Sequence, residues 1–317
     1  MAIQLHLYQI WYNENTKPSK ESGLLSFDCR NTPETLKRET AHLIRFYDEI
    51  VAYAHDDDYF ALLSPRFTEK TGLSITQVKD FVSAYPDHDI FLFNPFPMHV
   101  YLYMNVWDSG EYSHKGIKEL TQHLFDKANI DFNVYDHNRN TIYSTVYSNY
   151  WVASKPFLDD FIKFIKLLDS TIDKMPEQEK EKFFSDTEYY TKASFYPFIF
   201  ERLISTFLLM HKKYKSKPYI YDDKAIDSKK LKRIDSFFYT EGYRSAYDKW
   251  EELNKDDLER LSKAHLVIKN FLRPNTTIFP FKLFNRLSNS MLKKKNIYKF
   301  NSTSKDINVI LEKNFNK

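Results

Sequence analysis

Glu201 and Arg202 stand side by side in YPFIFERLISTFLLMHKKY, among Phe198, Ile199, Phe200, Leu203, Ile204, Phe207 and Leu208. Charges inside so apolar a stretch must be ion-paired or face a cavity, because an unpaired buried charge is costly. Burial raises a carboxyl's affinity for its proton and suits it to work as a general base. Adjacent helical side chains diverge by about 100°, so the two are not expected to pair with each other. Glu201 is expected to open onto a crevice.

Three further stretches carry chemistry. HDDDYF places Asp56, Asp57 and Asp58 in a row beside His55. Carboxylates that hold a divalent metal against a phosphate belong at the carboxyl end of a buried strand. Here a helical pattern precedes the aspartates and a strand pattern follows. Acidic charge at a helix C-terminus also opposes the helix dipole. A solvated loop is therefore expected. DIFLFNPFP ends its apolar run at Asn94, whose amide both donates and accepts. NVWDSGEYSHKG reads as a polar loop that gathers Asp108, Glu111 and His114, a set suited to acid–base work or metal ligation. The plainer alternative is a loop that carries a carboxylate and a histidine by chance.

Composition bounds what these residues can serve. The chain has 317 residues, 42% hydrophobic and 28% charged, which suits a globular protein. A net charge of +3 is too small for a molecule built as a glove for nucleic acid. One cysteine, Cys29, excludes an internal disulfide and a multi-cysteine zinc site, as expected in a reducing compartment. Five glycines, with no GxGxxG and no GxxxxGK[ST], argue against a dinucleotide fold and a P-loop. Aromatic residues reach 17%, enough to line a sugar or nucleobase site. An AT-rich coding sequence gives the same enrichment. No signal peptide or membrane-spanning run is visible, so a cytoplasmic location is expected.

The elements that must position these residues alternate. IQLHLYQIWY, LLSFDC, YFALLS, DIFLFNPFP and SNYWVAS read as strands. NTPETLKRETAHLIRFYDEIVAYA reads as a helix capped by Thr32, with Pro33 in its first turn and Leu36, Leu43, Tyr47, Ile50 and Ala54 on one face. SITQVKDFVSAY reads as a helix capped by Ser74, and KPFLDDFIKFIKLLDSTI as an amphipathic helix. The helix that carries Glu201 is apolar nearly all round, hence buried. Strands alternating with helices predict an α/β fold with a mostly parallel sheet flanked by helices. Composition shifts near residue 215. Residues 1–215 are expected to form the α/β domain and 216–317 a helical C-terminal extension.

Taken together, YQIWYNENT, YFALLSPRFTEKTGLS, DIFLFNPFP, NVWDSGEYSHKG, SNYWVASKPFLDDF and YPFIFERLISTFL resemble bacterial capsule and O-antigen glycosyltransferases. The likeness spans roughly residues 5 to 210, and SPRFTEKTG and FNPFP carry most of it. YQIW is similar to the first strand of sugar-nucleotide transferases of the GT-A type. The resemblance implies a Rossmann-like GT-A fold and transfer of a sugar from a nucleotide-sugar donor to a growing surface glycan. The acceptor would be a glycan or a lipid-linked glycan. The catalytic candidates are then Glu201 as base, Glu111 as second choice, and His114. Gln9, Tyr12, Asn94, Asn149 and Arg202 would surround the donor, with Arg202 or His114 against its phosphates. The resemblance implies no certain cofactor: such sites can hold Mn or Mg, yet no Asp-x-Asp ends a strand here, which leaves metal dependence open and the metal ligands unknown.

Two other classes compete. One is a non-catalytic glycan-binding or assembly protein on a transferase-like fold. The other is nucleic-acid binding through SKKLKR and LKKK; those runs are short and read as solvated surface, so no nucleic-acid partner is expected. FPFKLFNRLSNSMLKKK mixes Phe, Leu and Met with Lys and Arg, the pattern of a helix lying on an anionic membrane surface. Peripheral attachment to the inner membrane face would follow.

Overall fold

The structure, a computed structural model, describes residues 4–18, 23–32, 36–188, 193–222, 239–272 and 291. FPFKLFNRLSNSMLKKK lies outside the described residues apart from Met291, as do SKKLKR and Pro33. Among the described residues no helix is long and apolar enough to cross a membrane.

The chain divides into two compact units. The first comprises Met1–Pro97, Asn105–Asp136 and Asn140–Ile220. It contains a six-stranded sheet of β1 (Gln4–Trp11), β2 (Leu25–Asp28), β3 (Asp58–Leu63), β4 (Ile90–Leu92), β5 (Trp151–Ser154) and β6 (Ser216–Pro218), in the order β2-β1-β3-β5-β4-β6. β1 runs parallel to β2 and β3, and β4 parallel to β6. β5 lies between β3 and β4 and is antiparallel to both. The expected α/β fold with a mostly parallel, helix-flanked sheet is therefore present. β6 falls in a polar stretch that shows no strand pattern. The central strands are buried almost along their whole length, β4 and β5 at every residue. A strand covered on both faces reads as an apolar run rather than an alternation.

Helices α1 (Glu39–Glu49), α2 (Phe67–Thr71) and α3 (Ile75–Ser83) precede β4 or follow β3. After β4 the same unit holds α5 (Val106–Ser113), α6 (Ile117–Lys127), α7 (Lys155–Asp173), α8 (Glu177–Phe184) and α9 (Phe195–Met210). α3 begins as expected: the Ser74 hydroxyl accepts from the Gln77 N–H while the Gln77 side chain accepts from the Ser74 N–H. α1 does not begin as expected. It starts at Glu39 rather than near Thr32, and Leu36 is 64% exposed. The Asp108–Glu111–His114 segment is not a loop either. Asn105 caps it, its side-chain Oδ1 accepting from the Trp107 and Asp108 N–H groups, and α5 follows.

The second unit comprises Met98–Met104, His137–Arg139 and Tyr221–Lys317. Its described helices are α4 (His99–Leu102), α10 (Glu241–Asn254) and α11 (Leu258–Leu272). Tyr101, Tyr239, Tyr243, Tyr247 and Trp250 form its core. Arg139 is buried there and pairs with Glu251, so the charge does not stand alone.

Candidate functional site

In a parallel strand the last residue points the chain toward the sheet's carboxyl edge, where open α/β sheets hold their ligands. Tyr12 and Asn13 follow β1 on that edge, and Cys29 and Arg30 follow β2. Ser148 and Asn149 reach the same edge because β5, which they precede, runs the other way. The starts of α1 and α9 complete the enclosure. Together these residues line a cavity of about 780 Å³, joined by Arg38, Glu39, His42, Lys70, Pro197, Phe198 and Glu201. Ligand pockets run from about 300 to 1,000 Å³.

Glu201 meets its expectation of facing a crevice, but not the expectation about Arg202. One Glu201 oxygen, Oε1, accepts from the Ser148 N–H (2.8 Å) and hydroxyl (3.3 Å). The other lies 3.6 Å from Arg202 Nη1. Helical geometry points the two Cβ atoms apart, yet the Arg202 side chain is long enough to fold back along the helix. Its Nη1–H donates to the Phe198 carbonyl one turn earlier (2.7 Å), and its Nε–H to the Val106 carbonyl (3.1 Å). Arg202 is buried. Its donors serve the packing of α9 on α5 and it does not line the cavity.

Glu39 is the second carboxyl of the cavity. Burial and the nearby Glu201 carboxylate push its pKa up, while Lys70 and Arg38 oppose them. Among the described residues no hydrogen bond or ion pair holds the Glu39 carboxylate, and no carboxylate forms an ion pair with Lys70 or Arg38. Tyr150, which precedes β5, shares a hydrogen bond with Ser64 at the end of β3 (2.9 Å), and Lys70 lies over its ring. The Tyr12 and Tyr150 hydroxyls are held neutral chiefly by burial, with Glu39 adding to it. His42 packs its ring against Tyr12, and burial with Arg45 nearby lowers its pKa, so it is neutral at pH 7.

Among the described residues, two of the three non-glycine positions with positive φ belong to this cavity: Arg38 at 47° and Ser148 at 59°. Such conformations cost on the order of 1–3 kcal/mol and gather at functional sites. At Ser148 the left-handed backbone accompanies an amide hydrogen bonded to Glu201.

The remaining expected residues disperse. Tyr12 and Asn149 line the cavity; Gln9, Asn94, Glu111 and His114 do not. Gln9 donates from its amide to the Thr16 carbonyl (2.8 Å), shaping the turn after β1. Asn94 accepts from the Phe96 N–H (3.0 Å) and fixes the proline-rich turn. Glu111 accepts from the Gly116 and Lys118 N–H groups (2.9 and 3.1 Å), satisfying free amides at the start of α6. His114 is buried against Phe198, ring centroids 3.6 Å apart, and its pKa is held down to about 3 by burial and Arg202.

The aspartates sit at the opposite edge of the sheet. Asp58 opens β3 and pairs in register with Gln4, the first residue of β1. Asp56 and Asp57 are exposed as expected, but Asp58 is buried and accepts from the His55 N–H (3.2 Å). Among the described residues no group of three or more His, Cys, Asp and Glu side chains converges. A phosphate-bridging Mg or Mn needs one or two carboxylates free to coordinate. In the cavity Glu201 is engaged by Ser148 and Arg202, and Glu39 is flanked by Arg38 and Lys70. That leaves Glu39 as the one cavity carboxylate without a hydrogen bond or ion pair among the described residues.

Glu39, Arg38, Lys70 and Ser148 carry no motif in the sequence. Glu39 had one usable signal: it stands four residues before Leu43 and seven before Phe46, both buried, so a carboxyl lies in an apolar stripe. Comparison of the chain with protein-family models, curated proteins and solved structures finds no match.

Proposed function

We propose that the chain is a glycosyltransferase of the GT-A type, moving a sugar from a nucleotide-sugar donor to a growing bacterial surface glycan of the capsule or O-antigen kind. The observation that carries this reading is the cavity at the carboxyl edge of the sheet, where two carboxyl groups stand with two cations that form no ion pair among the described residues. Transfer needs a base for the acceptor hydroxyl and positive charge for the departing diphosphate. The carboxyl groups of Glu39 and Glu201 supply the first. Arg38 and Lys70 supply the second. Tyr12, Asn13 and Asn149 offer ring faces and amides for the donor. The nature of the acceptor comes from the sequence resemblance.

A glycan-binding module would need no carboxyl of raised proton affinity, so Glu39 favours the enzyme over it. The test is release of nucleoside diphosphate from UDP-glucose, UDP-galactose, UDP-N-acetylglucosamine and GDP-mannose, in EDTA, with and without oligosaccharide acceptors. Release from one donor, accelerated by an acceptor, is the expected result. Tight oligosaccharide binding with no turnover of any donor would favour the binding module.

A further inference from the structure

We infer that Glu39, at the first turn of α1, is the catalytic base that takes the proton from the attacking hydroxyl, and that Glu201 is a positioning residue beside it. The inference rests on the transferase reading and reverses the role the sequence suggests for Glu201. Three observations support it. Both Glu201 oxygens are engaged, Oε1 by two donors of Ser148 and Oε2 by the Arg202 guanidinium. Those contacts occupy the oxygens that an incoming hydroxyl would have to reach. Glu39 lines the same cavity with no hydrogen bond or ion pair among the described residues, so its lone pairs are open to a substrate. Finally, burial and, after it, the neighbouring Glu201 carboxylate raise its affinity for a proton.

The groups that act on Glu39 come from every side. Glu201 approaches from α9, Lys70 from α2 and Arg38 from the residue before it. Tyr12 after β1 and Tyr150 before β5 are neutral phenols. Burial and Glu201 raise its pKa; the two cations oppose the rise without cancelling it. A base with a pKa nearer the working pH takes a proton more effectively.

The step balances. The acceptor O–H bond breaks and its proton passes to a Glu39 oxygen. The acceptor oxygen forms a bond to the anomeric carbon. The bond from that carbon to the phosphate oxygen breaks, its electron pair leaving with the nucleoside diphosphate beside Arg38 and Lys70. Glu39 then loses the proton to solvent. With water as acceptor the same step is donor hydrolysis, which gives an assay that needs no identified glycan.

The experiment follows hydrolysis of the most effective of the four donors across pH in full-length wild type, Glu39→Gln and Glu201→Gln. Glu39→Gln should still be stabilised by donor in a thermal-shift measurement and lose hydrolysis by about 100-fold or more. Glu201→Gln should remain at least about tenfold more active than Glu39→Gln, with its acid limb moved to lower pH. The sign follows from charge: removing the Glu201 anion removes what helps hold the Glu39 pKa up. Should Glu39→Gln fail to fold, Glu39→Ala with added formate takes its place, and rescue by formate supports the base. Glu39→Gln as active as wild type, an inactive Glu201→Gln, or Glu39→Ala unaffected by formate would each overturn the assignment. If no donor binds or is hydrolysed by wild type, it is the transferase reading that falls.

Discussion

His114 lies flat against Phe198, cut off from water, and its pKa is held down to about 3. In the unfolded chain the same imidazole titrates near 6.5. The unfolded state therefore binds the extra proton first. The stability His114 allows is complete above about pH 6.5 and drains away as pH falls toward 3. A single such group contributes up to about 1.4 kcal/mol per pH unit in that window. His114→Gln should flatten the fall in stability between pH 6 and 4, measured by urea unfolding, by up to one proton. His42, His211 and His265, also lowered, stay in both proteins and cancel. Identical slopes would contradict the account. The aspartates give a second residue-scale prediction. Changing Asp56, Asp57 and Asp58 to Asn should leave donor hydrolysis within about threefold, since they occupy the edge of the sheet away from the cavity. A loss of about 100-fold with the fold intact would return them to the chemistry. At this scale the sequence was partly legible. Glu201 stood out because, Arg202 apart, its near neighbours are apolar, and Tyr12 came with the family resemblance. Glu39 did not stand out because polar TLKRET surrounds it, and only the fold shows that its turn faces inward. Asp58 read as solvated with its neighbours, but its strand register buries it.

α9 and α5 meet where one glycine lets them. A methyl group on Gly110 would stand 2.9 Å from Arg202 Nε and 3.1 Å from Ile117 Cγ2. Arg202 cannot easily retreat, because two backbone carbonyls hold it. Gly110→Ala should therefore destabilise by about 1–3 kcal/mol through overpacking, despite alanine's better helix propensity. Calorimetry should show a melting temperature several degrees lower; an unchanged or higher one would mean that the helices can move apart. Strand patterns marked five of the six strands; of these β3, β4 and β5 are buried and read as continuous apolar runs, while β1 and β2 are less buried. β6 escaped because it is three residues of SKP at a sheet edge, with little side-chain burial to leave a pattern. α5 escaped because Gly110 and polar side chains hide a helix, and its stretch read as a polar loop. The start of α1 was misplaced because Thr32-Pro33 is a good cap signal and Arg38, with φ of 47° just before the first turn, has none.

At the scale of the whole molecule, a net charge of +3 on 317 residues says little about a ligand. The useful charge is local: Arg38 and Lys70 at one edge of one sheet, beside two carboxyl groups. Sheet order and strand direction bring them together, and neither is written in any single segment. β5 could be read as a strand but not as the reversed one, and that reversal carries Ser148 and Asn149 to the ligand edge. On the proposed function, this edge binds a nucleotide sugar through those cations. That binding is tested most directly by thermal shift of the full-length protein with UDP-glucose, UDP-galactose, UDP-N-acetylglucosamine and GDP-mannose, in EDTA and in Mn²⁺. The comparison protein carries Lys70→Gln and Arg38→Gly, glycine being at ease with the positive φ at position 38. One donor, at about a hundred times its dissociation constant, should stabilise the wild type by about 2.7 kcal/mol whether or not metal is present. The double variant should lose most of that gain at the same concentration. No stabilisation by any of the four, or a gain in the double variant equal to that of the wild type, would contradict the account.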